Sequence, residues 1–226
     1  ENEFHPIDSE TDANWIDAHD ASWRNEHEFW FIRGIGLQPL YSLNIEDDSI
    51  HVLLNETREP DGSWSGFSIN QVYDEFVVSR INGDDWILTF FRINDDDIIQ
   101  IDEEITEPPL SSPLWSPNGE LLALVSADGI VIRDRDNNSS ILNIAVSGGS
   151  SRMAWSPESD AILFIGRYNE PGLYIIDVSG ENLPRNILEG SFSYVAWSPD
   201  GSQIAYTTLG VPGSNELHIV SASELG

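Results

Sequence analysis

The chain has 226 residues, 40% of them hydrophobic, and carries 39 acidic residues against ten basic ones for a formal net charge of -29. That is enough chain to bury one sizeable core, and the absence of cysteine excludes disulfides, thiolate metal sites and a cysteine nucleophile. The charge disfavours any partner recognised through phosphates, so neither nucleic acid nor an anionic lipid surface is expected, and no apolar run approaches the ~20 residues of a membrane-inserted helix.

In chain order, the first feature is a short apolar stretch within 3–8, from Phe4 to Ile7. His19 follows, flanked by Asp17 and Asp20, a mix of imidazole and carboxylate suited to a transition metal, to acid-base work or to ligand binding; the simpler reading is an exposed loop. The stretch "ASWRNEHEFWFIR" then places Trp23 seven residues before Trp30, and the strands "FWFI", "PLYSLNI" and "SIHVLL" complete a first repeat over about 15–54. "REPDGSWSG" reads as a Gly/Ser/Pro-rich loop that presents Trp64, an aromatic available for stacking on a peptide or sugar. Trp64 stands where the nucleophile of a G-x-S-x-G elbow would have to be a serine, so that motif is absent.

The second repeat, about 64–102, puts Ile69 seven residues before Phe76 and continues through "FVVS", "WILTFFRI" and "IIQID". Between its last two strands stand Asp95, Asp96 and Asp97, hard oxygen ligands suited to Ca2+ but without the spacing of a known calcium loop; a solvated hairpin tip is the plainer reading. Asp134 and Asp136 occupy the same place in the third repeat. The last three repeats, about 111–146, 151–189 and 192–226, open on "WSPNGELLALVS", "WSPESDAILFIG" and "WSPDGSQIAYTT". Their anchors Trp115, Trp155 and Trp197 lie 40 and 42 residues apart, the size of one supersecondary unit. Seven residues beyond each anchor an apolar strand resumes, at Leu122, Ile162 and Ile204.

The corner after each tryptophan has turn chemistry. Ser198, Pro199, Asp200 and Gly201 fall in the order of a type I turn, and Ser116, Pro117, Asn118 and Gly119 repeat it. Glu158 and Ser159 replace the last two in the fourth repeat. His27 and Tyr73 take the glycine place in the first and second, which predicts turns there that are longer or of another type. Short β-branched and aromatic runs bounded by Gly, Asn, Asp and Pro, four to a repeat of about 40 to 46 residues, predict an all-β fold of four-stranded antiparallel blades in a β-propeller. Five repeats fit a five-bladed ring or part of a six- to eight-bladed propeller. The fifth repeat has no fourth strand of its own, and in the ring reading one of two spare stretches, the segment within 3–8 ahead of Asn14 to Ala18, pairs with 216–221 to complete it.

The three tryptophan-led stretches, each followed by "VIRD", "LYIIDVSG" or "LHIVSAS", resemble the WD40-like (PD40) repeat of TolB-like propellers and of the propellers that precede the catalytic domain of prolyl-oligopeptidase-like peptidases. The resemblance implies that Trp115, Trp155 and Trp197, with Trp23 and Ile69 as their counterparts, pack between blades. It implies binding of a protein or peptide at one rim or in the axial channel, and a periplasmic or secreted location. The expected function is a non-enzymatic binding scaffold without a cofactor. The alternative is a substrate-gating propeller of a hydrolase whose catalytic domain lies outside this chain.

Mutual repulsion among the surplus carboxylates opposes compactness, and salt screens it over about 10 Å at 0.1 M. The melting temperature, followed by circular dichroism, is therefore expected to rise from low to moderate NaCl; a flat or falling curve would mean that the carboxylates are already neutralised locally.

Overall fold

The computed structural model describes residues 18–33, 39–54, 62–82, 84–94, 97–106, 113–126, 129–136, 139–145, 152–168, 170–209 and 215–225. The segment 3–8, expected to close the last repeat, lies outside the described residues. Nearly all described regular structure is strand; a single 3-10 turn, Ala222–Leu225, is the exception. The chain divides into two compact units, 1–63 and 64–226.

The first unit carries one antiparallel sheet in sequential order, β1 (Ala18–Trp23), β2 (Glu28–Arg33), β3 (Leu40–Asn44) and β4 (Ile50–Leu54). The second carries four more. The second sheet is β5 (Gly62–Asn70), β6 (Glu75–Asn82), β7 (Asp85–Asn94) and β8 (Asp97–Thr106). The third is β9 (Leu114–Trp115), β10 (Leu121–Ser126), β11 (Gly129–Asp134) and β12 (Ser140–Ala145). The fourth is β13 (Met153–Trp155), β14 (Ala161–Arg167), β15 (Pro171–Asp177) and β16 (Arg185–Glu189). The fifth has three described strands, β17 (Phe192–Trp197), β18 (Gln203–Thr208) and β19 (Glu216–Ser221). These are antiparallel meanders of the β-propeller class, as the repeat length predicted.

Register gives the repeats a common frame. Trp115 pairs with Leu122, Trp155 with Ile162 and Trp197 with Ile204. The first repeat departs from the seven-residue spacing, because Trp23 pairs with Phe29 while Trp30 faces Ser22. Its turn is one residue shorter: the Arg24 amide donates to the Glu28 carbonyl, whereas Ser116 reaches Leu121, five residues on. Trp30, on the opposite face, is buried, and Trp23 is 49% exposed. Arg24 stands where Ser116 opens the third-sheet corner, so the first turn lacks the side-chain acceptor that holds the longer spacing there.

The core of the second unit consists of sheet faces pressed together, the usual way for antiparallel sheets to bury apolar side chains. Trp115, Leu122 and Leu124 of the third sheet cluster with Val77 and Leu88 of the second. Trp155, Ile162, Phe164, Tyr174 and Ile176 of the fourth cluster with Ala123, Val125, Ile130 and Ile132 of the third. The Trp155 indole N–H also donates to the Leu114 carbonyl at 3.0 Å. Trp115 and Trp197 bury their indole nitrogens without such a bond, so area and shape, more than the polar handle, hold these rings between sheets.

Replacing Trp155 with alanine would remove a large ring from between two sheets, a change that typically costs about 3 to 5 kcal/mol. Urea unfolding of Trp155→Ala is expected to show a loss above about 2 kcal/mol; a smaller loss would mean that the third and fourth sheets do not depend on this ring.

Candidate functional site

The first strands β5, β9, β13 and β17 bring the tryptophan corners of the second unit to one place. Between them opens a cleft of about 620 Å³, lined by Trp115, Trp155 and Trp197, by the corner prolines Pro117, Pro157 and Pro199, and at one side by Ile69 and Gln71. Its walls are apolar and stiff, because each proline fixes its own backbone and each corner is closed by the preceding serine.

The serine closure is the same three times over. In each corner the residue three places after the serine donates its amide to the serine carbonyl: Gly119 to Ser116, Ser159 to Ser156 and Gly201 to Ser198, at 2.8 to 2.9 Å. The serine hydroxyl meanwhile accepts the amide of the next strand's first residue, Leu121, Ala161 or Gln203. It donates to the side chain of Asn118, Asp160 or Asp200. Ser159 adopts φ 63° where its counterparts are Gly119 at 73° and Gly201 at 70°, so the fourth corner keeps the turn that glycine makes easily. In the second sheet Asn70 takes the serine role, accepting the Val72 and Tyr73 amides.

Neighbouring corners are also tied to each other. The Asn70 amide donates to the Gly119 carbonyl at 2.7 Å, the Ser68 hydroxyl accepts the Trp115 amide at 2.9 Å, and the Ser159 hydroxyl accepts the Asn118 amide at 3.0 Å. A side chain at Gly119 would collide with Asn70. The cleft is therefore pre-formed, and its serines are committed to the corners. A hydroxyl that already donates to a carboxylate or amide and accepts a backbone N–H is not poised as a nucleophile.

A second feature lies beside Trp115, a cavity of about 260 Å³ edged by Glu75, Arg92, Asp134, Arg135 and Asp136. Glu75 is buried and meets Arg92 at 2.6 Å across its own sheet and Arg135 of the third sheet at 2.9 Å. Arg135 also lies 3.8 Å over the Tyr73 ring. Burial works against the Arg135 charge, but the hydrogen bonds and field of Glu75 and Asp136 outweigh it and raise its pKa. This cluster clamps two sheets together.

The residues singled out from sequence do not gather at one point. His19 and Asp20 belong to β1 and Trp64 to β5, so all three are strand residues and not loop residues. The Gly- and Ser-rich run around Trp64 is extended because β5 is bound to β6 along the sheet, Ser79 Oγ donating to the Gly66 carbonyl. Asp17, Asp95 and Asp96 lie outside the described residues, and Asp97 begins β8, exposed. Among the described residues no group of three His, Cys, Asp or Glu side chains could hold a metal. Ile69, half-buried, lines the cleft. Sequence reading missed the Glu75, Arg92 and Arg135 cluster, whose members are up to 60 residues apart. It also missed Asn70, which lacks the Ser-Pro signature.

No protein-family model and no curated protein matches the sequence. Solved structures do match in shape. TolB from Acinetobacter baumannii superposes with a TM-score of 0.67 at 13% identity, over 89% of this chain and 51% of that one. Hydrazine synthase from Kuenenia stuttgartiensis gives 0.62 at 15% identity, over 88% and 61%. A nidogen/laminin complex gives 0.62 at 9%, over 89% and 74%. The chain is a β-propeller fold. It spans about half the length of the TolB chain, and at these identities the likeness concerns the fold alone.

Asp200 caps the fifth corner. The Ser198 hydroxyl, then the Ser202 amide and hydroxyl, lower its pKa to about 2. Its ordinary value is about 3.9, so the carboxylate's contribution is complete above that value and is lost as pH falls through about 2. A carboxyl NMR titration is expected to place the Asp200 midpoint near 2, and in Ser198→Ala to move it back toward about 4; an unshifted midpoint in the native protein would mean that the corner's hydrogen bonds do not hold the carboxylate in its charged form.

Proposed function

We propose that this protein is a binding scaffold that receives an extended, basic protein segment in the cleft between its Trp-Ser-Pro corners. The carrying observation is the cleft itself, rigid, apolar and walled by three tryptophans and three prolines. Such surfaces suit partner side chains, with aromatic walls supplying contact area at little entropic cost. The surrounding charge of -29 favours a basic partner and speeds its encounter. The serines are taken up by the corners, which favours binding over chemistry. By likeness of fold to TolB, the proposal includes a periplasmic or secreted location.

The probe is a fluorescein-labelled decapeptide of alternating arginine and leucine, read by fluorescence anisotropy. Binding is expected to the native protein and not to a peptide with glutamate in place of arginine. Gln71→Arg, an exposed change at the cleft wall, is expected to weaken binding about tenfold, the equivalent of about 1.4 kcal/mol. Equal binding of both peptides, or no effect of Gln71→Arg, would refute the assignment of this cleft.

A further inference from the structure

Met153 is the chain's one methionine, and with cysteine absent its thioether is the chain's sole sulfur. It opens β13 two residues before Trp155 and on the same face, because alternate side chains of a strand share a face. Its backbone is fixed by pairing with Phe164 and by the bond from the Ile165 amide to the Arg152 carbonyl. The side chain is half-buried. It packs against the core shared by the third and fourth sheets, and it also lines the cleft.

The same place in the other sheets of the second unit holds Phe67, Pro113 and Val195, each two residues before Ile69, Trp115 or Trp197. Phe67 and Pro113 are buried, and Val195 packs against the core between the fourth and fifth sheets. Of these four residues, Met153 is the one that lines the cleft. A long, unbranched thioether can serve both surfaces where a shorter or stiffer side chain stays in the core. At this point, therefore, the apolar wall carries a group that a two-electron oxidant can alter without touching the backbone.

We propose that Met153 is an oxidation site that sets the affinity of the cleft, which rests on the cleft being a binding surface. The oxidant is a peroxide. The Sδ lone pair attacks one peroxide oxygen, and the sulfur–oxygen bond forms as the oxygen–oxygen bond breaks. The departing hydroxide takes the proton from the new S–OH group and leaves as water, so the sulfur is oxidised by two electrons and the peroxide reduced by two. The product is a sulfoxide, polar where the thioether was apolar. Its oxygen needs a hydrogen-bond donor, and the Ser116 and Ser198 hydroxyls of the cleft wall already donate to Asn118 and Asp200. Water supplies the bond in the free protein, and an apolar side chain seated there displaces that water. Oxidation thus weakens binding, and reduction of the sulfoxide restores it.

The test treats the folded full chain with hydrogen peroxide and measures the arginine–leucine decapeptide by fluorescence anisotropy before and after. Peptide mass spectrometry is expected to find one added oxygen, on Met153, with the tryptophans unchanged. Affinity is expected to fall about tenfold, as for one buried polar group left without a partner, with an unaltered circular dichroism spectrum. The two epimer-specific methionine sulfoxide reductases should restore it. Met153→Leu, compared only with itself, should bind equally before and after peroxide. A thioether that reacts only in urea, unchanged affinity in the sulfoxide form, loss of binding through unfolding, no recovery on reduction, or the same loss in Met153→Leu would each overturn the proposal. In those cases the native chain binds the peptide before oxidation, and the cleft keeps its assignment; a native chain that binds no peptide at the outset defeats both.

Discussion

An antiparallel sheet of this kind has two apolar faces, and neither can be left in water over its full extent without cost. The dependence of each sheet on its neighbour is the constraint from which the rest of the second unit follows. Trp155 shows how it is met. Its ring ends a three-residue strand, lies across the third sheet among Val125, Ile130 and Ile132, and reaches the Leu114 carbonyl. The strand can be that short because its work is to deliver one ring to one joint. Fourth strands are under less constraint: β8 and β16 are largely exposed and carry charged residues such as Asp102, Glu103 and Arg185.

The corners convert this packing into a fixed surface. A serine hydroxyl that accepts one amide and donates to an Asx side chain holds each turn without any help from the core, and the ties from Asn70 to Gly119 and from Ser159 to Asn118 lock successive turns together. The result is a wall whose prolines and tryptophans are positioned in advance of any ligand. Pre-organisation of this kind lowers the ordering cost of any binding to this wall.

The acidic surplus plays two roles. A minority of carboxylates are structural. Glu75 is bracketed by Arg92 and Arg135, Asp200 by Ser198 and Ser202, and Asp177 is held below the usual carboxylate range by the Ser179 hydroxyl and the Asn182 amide. Others, such as Asp97 and Asp136, are exposed. With ten arginines for 39 carboxylates, most acidic groups have no cation to meet. That excess sets the field around the cleft and opposes contact between like molecules.

Local chemistry was legible in the sequence wherever the signal and its cause lay within a few residues. The Ser-Pro corners, the seven-residue step from Trp115 to Leu122 and the strand-rich repeat all follow from turn preferences and alternation, which act over one hairpin. The same logic failed at the first repeat, where a turn shorter by one residue puts Phe29, not Trp30, opposite Trp23; a single-residue slip exchanges the faces of a strand, and the missing glycine there marks a changed turn but not a shorter one. Trp64 and His19 were read as loop residues because glycine, serine and aspartate around them are poor strand formers, and pairing with the neighbouring strand overrode that preference. The Glu75, Arg92 and Arg135 clamp and the cleft between the corners could not be read at all. Both depend on which sheet lies against which, and that is decided by face-to-face burial between segments about 40 to 60 residues apart, a distance over which the sequence by itself carries the repeat but not the contacts.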